Sequence, residues 1–224
     1  MYSLPKKLLV ELIGTFALIL FGAGSGAISG LGSTLPTMTS IALAHGLVVL
    51  ACAYSFGHIS GVHLNPAITV GLWVAKKIPT TDALAYIVTQ IIGSIVAGFT
   101  LAFVFADAGP GAAGLGAVGI VPGVSVIGGL LLEGICVFLL VSVVLQTAVA
   151  GKAGQLAPLA IGMTLAASIM FLGPITGAAI NPVRAIGPAV ANGDMQWILP
   201  YCLATVLGGV VAGLLYTYVL SDEK

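Results

Sequence analysis

Residues 44–71 read AHGLVVLACAYSFGHISGVHLNPAITVG, and residues 160–187 read AIGMTLAASIMFLGPITGAAINPVRAIG. Aligned without gaps at an offset of 181 − 65 = 116, the two stretches agree at nine of 28 positions. The matches include Gly46/Gly162, Gly57/Gly173, Gly61/Gly177, Asn65/Asn181, Pro66/Pro182 and Gly71/Gly187. The same offset pairs Gly93 with Gly209. Upstream, VELIGTFALIL around Glu11 echoes LEGICVFLLV around Glu133 at 133 − 11 = 122, so one connecting loop differs by about six residues. Composition bias scatters glycine matches, but it does not align Gly-x-x-x-Asn-Pro twice in register. The chain is an internal duplication.

Composition fixes the solvent. Of 224 residues, 59% are hydrophobic and 6% charged, with seven Lys+Arg and seven Asp+Glu. Average soluble domains carry about 25% charged residues, so this chain cannot coat a water-facing surface. A soluble enzyme is excluded, as are disorder, which needs high charge, and nucleic-acid binding, which needs a basic face. The 31 glycines suit close helix packing in lipid. Cys52, Cys136 and Cys202 lie far apart in apolar runs and read as small hydrophobes, with no metal or cofactor motif.

Crossing the hydrocarbon core takes about 20 apolar residues. Six segments qualify: 8–28, 39–56, 83–105, 124–150, 156–171 and 197–220. Lys6, Lys7, Lys76, Lys77, Lys152 and Lys224 are separated by even numbers of crossings and share one face. Positive residues mark the cytoplasmic side, which predicts a multi-pass cell-membrane protein with both termini inside. The first repeat then spans 1–105 and the second 124–224, with 106–123 as an extracellular connection. Arg184 is the one basic residue on the outer face.

Three crossings per half invert the second half, so the two are related by an axis in the membrane plane. Behind each Asn-Pro lies an apolar stretch of about ten residues, too short to cross the core. Such stretches read as re-entrant half-helices, and non-helical backbone at that depth persists only beside a wet cavity. The fold expected is therefore all-α, with six transmembrane helices plus two half-helices. Asparagine favours the N-cap and proline the first helical position, so Asn65-Pro66 and Asn181-Pro182 start those half-helices. Opposed insertion brings both positive helix ends together near the membrane centre. Each amide oxygen can cap its own helix while the NH₂ donors point into the path.

GVHLNPA with HIS-G before it, the second INPVR, and the paired glutamates of spans one and four resemble the major intrinsic protein family of aquaporins and glycerol facilitators. The similarity covers essentially the whole chain. It implies a homotetramer of water- or solute-conducting pores in the lipid bilayer, without cofactor or enzymatic activity. The central motifs become Asn65-Pro66-Ala67 and Asn181-Pro182-Val183, the latter departing from the usual Ala. Counted from the asparagines, the family's outer constriction falls on His45, Ile169, Ala178 and Arg184. That set is most like plant tonoplast members, which are associated with ammonia as well as water. The resemblance further implies pore carbonyls at Gly61, Val62, His63, Gly177, Ala178 and Ala179, with Val49 and Leu165 on an apolar wall. Ala185 and Ala189 stand where glycerol facilitators usually carry Asp and a basic residue.

Arg184, permanently charged, would repel cations at the mouth, and His45 would add a second donor beside it. Glu11 and Glu133 can be read as a proton relay or as acceptors for exposed N–H groups of the re-entrant loops; the second reading is preferred. Gln90 would do the same for the first loop. The expected function is passive conduction of water, with ammonia and other small neutral solutes, excluding protons and ions. The alternatives are a glycerol or small-polyol facilitator and a secondary transporter, which also uses inverted repeats.

Overall fold

The computed structural model describes residues 2–29, 31, 37–108 and 114–221. Part of the 106–123 connection and the charged end Asp222, Glu223 and Lys224 lie outside the described residues. In chain order the helices are α1 (Leu4–Ser29), α2 (Met38–Ser60), α3 (Pro66–Val74), α4 (Thr80–Val104), α5 (Val126–Val144), α6 (Ala157–Thr176), α7 (Pro182–Asn192) and α8 (Ile198–Leu215). Both α5 and α8 run on into a π-helical turn, Leu145–Val149 and Tyr216–Leu220. Among the described residues, six helices are long and apolar enough to cross a membrane. The short α3 and α7 are the two half-helices.

Glycine rather than polarity ends the second and fifth spans. The hydropathy boundaries at 56 and 171 are overrun by about a turn, to Ser60 and Thr176. There Gly61 (φ 88°) and Gly177 (φ 74°) take the left-handed conformation that stops a helix. Pro158 lies in the first turn of α6, where its missing N–H costs nothing.

Packing follows the inverted repeat. Helix α1 packs on α2 and α4 as α5 packs on α6 and α8, while α7 lies against α4 and α3 against α8. At the α2–α6 crossing, a Cβ on Gly46 would meet the Gly162 carbonyl at 2.5 Å, and one on Gly162 the Gly46 carbonyl at 2.6 Å. The two backbones touch on the repeat axis. One pairing from the sequence needs correction: Gly93 is matched by Gly208, not Gly209. Gly93 packs on the Leu12 carbonyl and Gly208 on that of Gly134, and 134 − 12 = 122, the offset that relates the glutamates. The offset here is 208 − 93 = 115, so the second half is one residue shorter between half-helix and final span.

Large apolar side chains such as Phe21, Leu47, Phe99, Leu131 and Leu203 face outward, whereas Glu11, Gln90 and Glu133 are fully buried. This arrangement suits lipid outside and a polar centre inside.

Candidate functional site

The centre is two four-residue loops, 61–64 and 177–180, each between a glycine helix stop and an Asn-Pro helix start. Val62, Leu64, Ala178 and Ile180 all hold φ between 49° and 54°. For L-residues this region costs roughly 1–2 kcal/mol each, so something must impose it. The carboxylates do. Glu11 accepts from His63 N (2.9 Å), Leu64 N (2.9 Å), Ser60 Oγ (2.7 Å) and Gln90 Nε2 (2.8 Å). Glu133 accepts from Ala179 N (2.9 Å), Ile180 N (2.7 Å) and Thr176 Oγ1 (2.6 Å). The hydroxyls of Ser60 and Thr176 in turn take the amides of Val62 and Ala178.

Peptide planarity sets the consequence. In a trans peptide the C=O points opposite to the N–H of the next residue. With the amides of residues 63, 64, 179 and 180 turned back to Glu11 and Glu133, and those of Val62 and Ala178 to the Ser60 and Thr176 hydroxyls, the carbonyls of Gly61, Val62, His63, Gly177, Ala178 and Ala179 turn away from them. Gln90 braces the first loop indirectly: it donates to Glu11 and to Thr69 Oγ1, not to the loop backbone.

Both half-helices start as their sequences dictate. Asn65 Oδ1 accepts from Ala67 N at 2.9 Å, and Asn181 Oδ1 from Val183 N at 3.1 Å. The amide nitrogens differ from expectation. Asn65 Nδ2 donates to Ile180 O and Asn181 Nδ2 to Leu64 O, both at 2.9 Å. One hydrogen of each NH₂ thus ties the halves together, which leaves one per amide for the path. Val183 fits without exposure, and its carbonyl accepts from Ser94 Oγ.

A cavity of about 370 Å³ runs past these groups. Gly57, Ala148, Gly154 and Pro158 line one end, and His45 and Arg184 line the other. Between them lie Asn65 and Asn181, with Val49, Leu165, Ile68 and Leu140 as apolar wall. Gly61, Val62, His63 and Ala179 also line it. Ile169 and Ala178 are not among the residues lining this cavity, and both are buried.

His45 departs most from the sequence reading. Its Nδ1 lies 2.8 Å from the Ile41 carbonyl, which can only accept, so Nδ1 carries the proton. Its Nε2 receives Arg184 Nε at 3.2 Å and must therefore be the bare lone pair. The ring is neutral and saturated. It is not a second donor beside Arg184, and it acts as the acceptor that orients Arg184. Arg184 Nη1 is buried and has no hydrogen-bond partner among the described residues.

Several contributors are invisible to motif reading. Tyr86 and Tyr201 donate to the Ser60 and Thr176 carbonyls at 2.9 and 2.6 Å, pinning each helix end behind its loop. The hydroxyl pair Ser60/Thr176 is available in the repeat alignment. The tyrosine pair needs the 115 offset that only the packing reveals.

This architecture defines a class: a membrane channel with two opposed half-helices meeting at paired Asn-Pro caps. Residues 2–216 match the family model for the major intrinsic protein. The chain is 36% identical to Aquaporin AqpM of Methanothermobacter thermautotrophicus over 246 residues, covering 99% of this chain and 100% of that one. It is 34% identical to Nodulin-26 of Glycine max, covering 98% of this chain and 79% of that one. The X-ray structure of the aquaglyceroporin from Plasmodium falciparum superposes with a TM-score of 0.84 at 24% identity, over 97% of each chain. The chain belongs to the major intrinsic protein family. It is a multi-pass membrane channel for water or small solutes, and not an enzyme.

Proposed function

We propose that the chain conducts water in single file, together with ammonia and other small neutral solutes, and excludes protons and ions. The observation that carries this reading is the pair Asn65 and Asn181 facing one cavity, each with one uncommitted amide hydrogen. A water between them turns its oxygen to both donors, which interrupts a proton-carrying chain of waters. The positive ends of α3 and α7 converge at the same place and oppose cations, and Arg184 adds a permanent charge at the outer end. The carbonyls of Gly61, Val62, His63 and Ala179 provide acceptors along the path, opposite Val49 and Leu165, and we read those of Gly177 and Ala178 as continuing the same track.

His45 and Ile169 match the tonoplast pattern, which supports ammonia as a second solute. In this reading Ile169 and Ala178 complete the filter with His45 and Arg184. Lys7 pairs with Asp82 at 3.0 Å, so the starts of α1 and α4 lie at one end. That contact supports one shared lysine-rich face, which its positive charge assigns to the cytoplasm, with both termini inside the cell, repeats at 1–105 and 124–224, and an outer 106–123 connection. The family resemblance supports a homotetramer.

Reconstituted vesicles provide the test. Stopped-flow shrinkage should be several-fold faster than in empty vesicles, and an internal pH dye should report faster alkalinisation on ammonium addition. A water rate equal to that of empty vesicles overturns the reading. A glycerol rate exceeding the ammonia rate replaces the solute assignment with a polyol one.

A further inference from the structure

We propose that Gly22 is a specificity-determining residue of this channel, acting as the seat of the His45 ring and, through it, of Arg184. The proposal rests on the filter reading above. Three groups hold the ring: the Ile41 carbonyl at Nδ1, Arg184 Nε at Nε2, and the backbone of α1 at Gly22. A Cβ on Gly22 would meet the ring most closely at Cδ2, with Nε2 at 2.5 Å and Cε1 at 2.9 Å. Ordinary van der Waals contact begins at 3.4 Å, so the ring would have to move by about 1 Å. Among the described glycines, only Gly22 would place a Cβ against His45.

Gly22 lies within a 26-residue helix and is buried, where glycine is about 1 kcal/mol worse than alanine. Helix formation therefore gives no reason for it, whereas the imidazole does. The atoms that would be struck are at the Nε2 end, the end that accepts from Arg184. A methyl group there pushes the acceptor off the guanidinium and drives the ring toward the cavity that His45 and Arg184 both line. The absent side chain on α1 thus sets how far His45 stands from the path and, through Nε2, how the Arg184 guanidinium is oriented.

A double-mutant cycle tests this. Water and ammonia permeability per reconstituted channel is measured for the unmodified chain, Gly22→Ala, His45→Ala and Gly22→Ala/His45→Ala, against empty vesicles. Gly22→Ala should lower water permeability by about threefold or more and change the water-to-ammonia ratio. In the His45→Ala background the same substitution should have almost no effect, because contacting pairs couple and independent ones add. An equal loss in both backgrounds, or no loss in either, overturns the proposal. If Gly22→Ala does not reach the membrane, recovery on adding His45→Ala supports the seat and absence of recovery overturns it. An unmodified chain no faster than empty vesicles would overturn the channel reading, an outcome distinct from those of the cycle.

Discussion

Asn65 and Asn181 bond reciprocally across the molecule's centre, each giving one amide hydrogen to the carbonyl just before the other's cap, at 2.9 Å. Two half-helices entering from opposite faces are thereby stapled tip to tip. Each asparagine also caps its own helix, so each side chain closes one local and one long-range bond.

Replacing either asparagine by alanine should therefore remove both. A lost N-cap costs about 1 kcal/mol and a lost hydrogen bond a similar amount. Asn65→Ala and Asn181→Ala should each be destabilised by roughly 2 kcal/mol. Matched losses in thermal unfolding of the purified variants would check the reciprocity; a stable Asn181→Ala would contradict it.

Glu11 and Glu133 differ in load, four donors against three. In Glu11→Gln and Glu133→Gln an NH₂ faces N–H groups, leaving buried donors without acceptors at about 1–3 kcal/mol each. Both variants should lose thermal stability and water permeability, Glu11→Gln more severely. A proton relay predicts the opposite pattern, a stable channel with altered proton flux.

Arg184→Ala should admit cations, since it deletes the fixed charge at the His45 end of the cavity. An internal pH dye under an imposed potassium diffusion potential should report proton entry several-fold above the unmodified chain. His45→Phe should also loosen this end, because it deletes the acceptor for Arg184 Nε. Ammonia flux unchanged in His45→Phe would remove His45 from the filter.

Two glycines give opposite expectations. A methyl on Gly162 would meet the Gly46 carbonyl at 2.6 Å, backbone that cannot yield cheaply, so Gly162→Ala should fold poorly. A methyl on Gly57 would meet nothing within 4 Å, so Gly57→Ala should be neutral or stabilising by about 0.5–1 kcal/mol. Yield and thermal unfolding of the two variants separate them.

Features written in short spacings are legible in the sequence. A single Asn-Pro reads as a turn, but its recurrence in register, each copy followed by a short apolar stretch, announces capped helix starts, and the three crossings between them imply the inversion. The glutamates can be matched to the loops because buried amides require acceptors. Features that depend on how helices cross are not legible. No spacing tells that Gln90 reaches Glu11 rather than the loop, or that Gly93 answers Gly208. Hydropathy misses the ends of α2 and α6 because the stopping signal is the left-handed glycine, not a change in polarity. His45 reads as a donor because its residue type permits it; only the Ile41 carbonyl on one nitrogen and Arg184 on the other make it an acceptor.

Turning the loop amides back to Glu11 and Glu133 has a consequence for heredity. The carbonyls so directed belong to the main chain, which every codon encodes alike. Point mutation can exchange the side chains of Val62 or Ala179 without altering the oxygens presented beside them. Side-chain exchange acts instead where side chains themselves meet the cavity, as at the His45–Arg184 end. A lineage can retune what passes there while inheriting the rest of the passage unchanged.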